Sequence, residues 1–318
     1  MNGINAASQP LAIQKTFRNK GSIGTALLPF AVLGLCFLTF GLCPAEAQNR
    51  QPGETTQTIK VSGVDRSFIR YIPKGYDASK PVAIVFVFHG RGGNAKGIEK
   101  GTGFSKLADT EGFIAIYPSG LGTPSVWNSG IDPTHTEDDT GFFTAMLDRL
   151  EKNFKIDPKR VFVCGFSAGA MMSYRLGGQF SDRIAAIGVA SGSAGVHLPG
   201  GTTWTDPVPS RPISAIVFHG KMDTHVKYNG GSLHADTLSV ADSIAFWTKA
   251  DGCRKSPTET TQQNGNLVID DYTNCRAGSE IILRSFGTGT HEWPSLTNND
   301  NFDATEVVWK FFVQHPLP

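Results

Sequence analysis

The chain has 318 residues, of which 40% are hydrophobic and 18% charged, a balance that suits a globular protein with a sizeable core and excludes a disordered one. A formal net charge of +1, with no long run of either sign, excludes the electrostatic footprint of a nucleic-acid binder or of a protein held on an anionic membrane. No low-complexity tract or internal repeat is visible.

The chain opens with Lys15, Arg18 and Lys20 ahead of an uncharged apolar stretch, residues 21–45, and a small-x-small triplet, Ala45-Glu46-Ala47. This pattern predicts a secretory signal over residues 1–47 with cleavage after Ala47, then a short linker at 48–56 and one domain at 57–318. An uncleaved anchor is the competing reading, because the apolar run is long for a signal, but Pro29 and the interspersed glycines favour export. Leu35 and Leu42 stand before Cys36 and Cys43 where a lipoprotein would carry a small residue. The expected location is secreted or periplasmic, with no membrane association after cleavage.

Residues 58–72 alternate around Gly63-Val64-Asp65 and predict an opening hairpin. The continuous apolar run at 82–88 predicts a central strand covered on both faces. A helix near 98–110, a strand at 113–118 and a polar loop from Ser119 to Thr140 follow. Next comes a helix whose stripe is Phe142, Phe143, Met146, Leu147, Leu150 and Phe154, with Asp138 and Asp139 as cap candidates. The alternation continues with strand 160–165, helix 168–180, strand 183–191, a Gly/Pro-rich loop, strand 213–220 and a helix near 236–250. A hairpin with Asn264-Gly265 at its turn leads to strand 280–286 and a closing helix. Strands alternating with helices predict an α/β fold: a mostly parallel sheet with helices on both faces, in one domain.

Removal of the signal leaves Cys164, Cys253 and Cys275. Cys253 and Cys275 flank the hairpin and are expected to form a disulfide in an oxidising compartment; Cys164, inside an apolar strand, reads as a small buried hydrophobe. The three make no metal-ligand cluster, and no metal site is expected.

Gly165-Phe166-Ser167-Ala168-Gly169 carries the chemistry. A serine hydroxyl is a weak nucleophile that needs a base, a group to orient the base, and donors for the developing oxyanion. Ser167 follows an apolar strand and opens a helix, the strand-turn-helix context in which the flanking glycines let a nucleophile sit at a strained angle above the sheet. Gly90, Gly92 and Gly93 follow the central run 82–88 and offer close backbone approach to a substrate oxygen.

Eight histidines compete for the base. In the order Ser, acid, His, the early His89, His135 and His197 drop out, His219 ends an apolar strand, His225 and His234 come too soon after any acid, and His315 lies in the tail. His291 remains, on a Gly-Thr-Gly-Thr loop that Trp293 and Pro294 are placed to stiffen. Asp223, in the turn after strand 213–220, is the chosen acid; Asp182, Asp206 and Asp242 remain competitors.

With these residues in hand the chain resembles the secreted α/β-hydrolase esterases that group polyhydroxybutyrate depolymerases with feruloyl and acetylxylan esterases. The resemblance spans about residues 57 to 314 and rests on FHGRGG, GFSAGAMMSYRL, FHGKMDTHVKYNGG and GTGTHEWP, with EDDTGFF and the paired cysteines. It implies a Ser167–Asp223–His291 triad, backbone oxyanion donors at Arg91 and Ala168, and no metal or organic cofactor. Many members carry Cys after the His-Gly of the oxyanion loop, or Asn after the nucleophile, where this chain has Arg91 and Ala168; the substrate class is the point this departure touches. Gly90, Trp127, Asn128 and Trp293 are candidate substrate contacts, Trp127 either stacking on a sugar or aromatic acyl group or covering the core edge.

The expected function is ester hydrolysis through an acyl-enzyme, on feruloyl or acetyl esters of plant polysaccharide, with a polyhydroxyalkanoate ester as the alternative. A serine peptidase shares the machinery but ordinarily brings a propeller or lid. A non-catalytic carbohydrate-binding relative would have no need of all three triad residues.

Overall fold

The computed structural model describes residues 50–254, 256–296 and 302–318; the expected signal, with Cys36 and Cys43, lies outside the described residues. Gly53–Val61 (β1) and Val64–Ile72 (β2) form the opening antiparallel hairpin, turning at Ser62-Gly63, both at positive φ. The hairpin begins inside the segment read as a linker, because Glu54, Thr55 and Thr56 extend the pairing to Tyr71, Arg70 and Ile69.

The chain continues through Val82–Phe88 (β3), Ala95–Thr102 (α1), Phe104–Glu111 (α2), Ile114–Pro118 (β4), Asp139–Asn153 (α3), Ile156–Phe166 (β5), Ala168–Gln179 (α4) and Ala186–Ala190 (β6). Gly195–His197 (β7) and Thr203–Thr205 (β8) form a small separate sheet. Ser214–Gly220 (β9), Val240–Asp251 (α5), Thr258–Gln262 (β10), Leu267–Tyr272 (β11), Ile281–Phe286 (β12) and Ala304–Gln314 (α6) complete it. The helix expected near 98–110 is two helices. Gly103, at φ 72°, turns its amide back to the Glu99 carbonyl and ends α1 in the left-handed conformation that glycine adopts at least cost.

The main sheet runs β1-β2-β4-β3-β5-β6-β9-β12-β11-β10. Strands β4 through β12 in this order pair in parallel, and the antiparallel hairpins flank them. Every side chain of β3 is buried, because the strand serves two cores. Ile84, Phe86 and Phe88 join one with Met146 of α3, Tyr174 of α4 and Trp247 of α5; Ala83, Val85 and Val87 join the other with Phe104 of α2 and Trp309 of α6. This is the α/β-hydrolase arrangement.

Cys253 and Cys275 are joined by a disulfide across the base of the β10–β11 hairpin, and Cys164 is free and buried in β5. Among the described residues no helix is long and apolar enough to cross a membrane. The consequence of the parallel block is that β3, β5, β9 and β12 all end at the same edge of the sheet.

Candidate active site

Ser167 sits between β5 and α4 with φ 56° and ψ −119°, a conformation that costs a non-glycine residue on the order of 1–3 kcal/mol and persists only where the surroundings impose it. Two close approaches impose it here. A Cβ on Gly165 would lie 2.3 Å from the Gly169 carbonyl oxygen, and one on Gly169 would lie 2.2 Å from that of Phe88. The Ser167 amide donates to the Ala190 carbonyl at the end of β6 (2.9 Å), which anchors the turn to the next strand.

His291 and Asp223 come from loops that start side by side, since β9 and β12 are paired with Gly220 opposite Phe286. The Lys221 amide donates to the Phe286 carbonyl and that of Met222 to the Gly289 carbonyl, so the two loops are laced together. His291 Nδ1 lies 2.8 Å from Asp223 Oδ2, and His291 Nε2 lies 2.9 Å from Ser167 Oγ. The arrangement fits a neutral imidazole with its proton on Nδ1, donating to the carboxylate and accepting from the hydroxyl.

Asp223 is buried, and its other oxygen accepts from the amides of His225 (2.8 Å) and Val226 (2.9 Å). Burial works to raise its carboxyl, but hydrogen bonding from His219 and His291 and from the Val226 amide prevails and holds it well below the usual carboxylate range. His219, buried at the end of β9, has Nε2 2.8 Å from the Val226 carbonyl and 3.5 Å from Asp223 Oδ2. The competing acid Asp206 is also buried, but its carboxylate has no hydrogen-bond partner among the described residues, and burial pushes it well up. It is not the group that meets His291.

The glycine loop after β3 is held from below. His89 places Nδ1 2.7 Å from the Gly90 carbonyl and accepts the Gly120 amide at Nε2 (2.9 Å); burial pushes its imidazole down, against an opposing contribution from the Gly90 hydrogen bond. The Gly93 amide closes a turn onto the Gly90 carbonyl, Gly92 donates to the Ser125 carbonyl, and Trp127 Nε1 donates to the His89 carbonyl (2.7 Å). Among the described residues the amides of Arg91 and Ala168 donate to no backbone carbonyl. They remain available beside the serine.

The pocket next to Ser167 and His291 has a volume of about 330 Å³ and an apolar wall that includes Val126, Ile131, Met171, Val226 and Leu233. Gly90 belongs to it; a Cβ there would lie 3.1 Å from that of Ser167. Arg91 lines it too, with Nη1 3.3 Å from His135 Nε2 and 3.7 Å from Asp132 Oδ2.

Three residues expected as substrate contacts make mainly structural bonds. Trp127 borders the pocket but is only 1% exposed; its ring packs at 80° to Phe88, so it chiefly braces the glycine loop after β3. Asn128 spends its side chain on the Glu137 carbonyl and on Arg175, and its amide on buried Asp139. Trp293 is buried against Phe104 and donates to Thr305 Oγ1, fastening the His291 loop to α6. The sequence reading missed Met171, Leu233 and His225 as pocket residues; His225 was set aside only as a base.

Asp223, His225 and His291 have ligand atoms within 4.8 Å of one another. The two imidazoles, however, stack at 18°, so an ion in the plane of one ring lies off the plane of the other, a poor metal geometry.

A profile of the family described as Esterase PHB depolymerase matches residues 66–198. Feruloyl esterase B of Piromyces equi is 28% identical over 262 residues, covering 80% of this chain and 46% of that protein. Feruloyl esterase C of Emericella nidulans is 28% identical over 296 residues, covering 89% and 98%. By sequence the chain is similar to these esterases. It spans about half the length of the first relative and nearly all of the second. In fold the chain is similar to an acetyl xylan esterase from Aspergillus awamori, with a TM-score of 0.60 at 18% identity over 81% of this chain and 99% of that one.

Proposed function

We propose that the esterase works through an acyl-enzyme on Ser167, and that its substrate is a feruloyl or acetyl ester carried on plant polysaccharide, met after export. The observation that carries this reading is the continuous relay from Ser167 Oγ to His291 (2.9 Å) and on to Asp223 (2.8 Å). His291 Nε2 takes the hydroxyl proton as Oγ attacks the ester carbonyl, and Asp223 stabilises the imidazolium that forms. The amides of Arg91 and Ala168 receive the oxyanion. The tetrahedral intermediate then collapses, the Nε2 proton passes to the departing alcohol, and water repeats the cycle on the acyl-enzyme. Every proton transfer and oxyanion contact in this scheme comes from the chain's own groups.

The substrate class is supported by relatives named feruloyl esterase and by a pocket whose apolar wall suits a flat aromatic or short acyl group. Export is supported by the basic and apolar amino terminus and by the disulfide, which persists in oxidising compartments. A polyester substrate is the second reading, favoured by the description of the matching family and by Leu233, 62% exposed at the pocket.

The test is a panel of methyl ferulate, acetylated xylan and polyhydroxybutyrate offered to the purified mature chain. Turnover of the first or second above the third supports the plant-ester reading; release of hydroxybutyrate alone would replace it with the polyester one.

A further inference from the structure

The two hydrogen bonds of His291 act along the edge of its ring and do not bear on its faces. Two aromatic side chains pack against the ring. Phe166, the residue before the serine, has its ring centroid 4.8 Å away at 43°, and His225 lies 4.7 Å away at 18°, face against face.

His225 is set in place by the same carboxylate that orients His291. Its amide donates to Asp223 Oδ1 (2.8 Å), while Asp223 Oδ2 meets His291 Nδ1 (2.8 Å), and its carbonyl accepts the Leu233 amide (3.0 Å). Its side chain is otherwise exposed and lines the pocket. Face-to-face contact between flat rings limits tilting of the imidazole about its side-chain bonds, and it covers that face from water.

We infer that His225 is a positioning residue for ester hydrolysis, its ring face holding the His291 imidazole in the plane that aims Nε2 at Ser167. The inference rests on the proposed serine mechanism. Reaction geometry is steep in angle and distance, so loss of the flat face should appear in turnover and not in binding.

The test compares His225→Ala, His225→Leu and His225→Phe in the whole protein with methyl ferulate. The non-aromatic variants should lose roughly ten- to a hundredfold in kcat with KM little changed, while His225→Phe, which keeps a flat ring, retains most of the turnover. The proton shared by His291 and Asp223 should give a downfield NMR signal that survives in His225→Phe and broadens or moves upfield in His225→Ala. Thermal unfolding of each variant reports whether it is folded; at an exposed side chain little change is expected. Wild-type kcat in His225→Ala, an equal loss in His225→Phe, or a rise in KM alone would overturn the inference. Absence of fluorophosphonate labelling at Ser167 in the wild type would instead sink the underlying mechanism.

Discussion

Ser167 Oγ lies 2.9 Å from His291 Nε2, although 124 positions separate the two residues in the chain. The sheet brings them together: β5 delivers the serine and β12 the histidine to the same edge, with β6 and β9 between. Groups that act as one unit should fail as one unit. Ser167→Ala and His291→Ala are each expected to lower kcat by on the order of 10⁴- to 10⁶-fold, with the double variant hardly worse than either. Asp223→Asn should cost about 10⁴-fold, because the amide imposes the wrong imidazole tautomer. Steady-state kinetics on methyl ferulate read all four variants, and near-normal kcat in Asp223→Asn would remove Asp223 from the scheme.

The acid side of the pH profile should show one ionisation only. A base that works as neutral imidazole gives a rate that rises with pH and levels off. Asp223, held well below the ordinary carboxylate range, is ionised at neutral and mildly acid pH and adds no second step there. The same shift stabilises the fold above the unfolded-state value of about 3.8, and that contribution is lost as pH falls through the lower folded-state value. A logarithmic plot of kcat/KM against pH should have a limiting acid slope of one; a slope of two between pH 4 and 7 would contradict the assignment.

Asp139 is expected to control stability from a distance. It is buried, with Oδ1 2.5 Å from Arg66 Nη2 and Oδ2 2.6 Å from the Asn128 amide, next to the Trp127 that braces the glycine loop after β3. Asp139→Ala leaves Arg66 charged and unpaired in the core, a change that typically costs about 3–5 kcal/mol. Urea unfolding measures it, and a loss below about 1 kcal/mol would show that water or another group reaches Arg66.

The disulfide should matter for stability more than for chemistry. Closing a loop between residues separated by 22 positions contributes about 3 kcal/mol in the chain-entropy model. Paired Cys253→Ser and Cys275→Ser substitutions should lower the unfolding free energy by that order while kcat stays within about twofold. Cys164, buried in β5 with its thiol pushed up by burial, should resist alkylation until the protein unfolds. Rapid labelling of Cys164 in the native protein would contradict its central place.

How much of this was legible depended on how local each signal is. The order Ser167, Asp223, His291 and the glycines of the oxyanion loop are written beside strand ends, so an alternating α/β pattern suffices to bring them to one edge. Trp127 was ambiguous because a tryptophan in a polar loop reads the same whether it faces substrate or core; its burial and its bond to the His89 carbonyl are visible only in the fold. The β7–β8 sheet has strands of three residues, too short for alternation to register. The break at Gly103 was hidden by apolar residues continuing on both sides of it. His225 follows the acid by two positions, a spacing that rules it out as the distant base and says nothing of a ring folded back onto His291.

The central claim is that Ser167 is the nucleophile, and intact-mass spectrometry with a fluorophosphonate probe tests it most directly. The account predicts one adduct per chain, mapped by peptide analysis to the segment holding Ser167, formed rapidly in the wild type and absent in Ser167→Ala. No adduct on active wild-type enzyme, or an adduct that persists in Ser167→Ala, would contradict it.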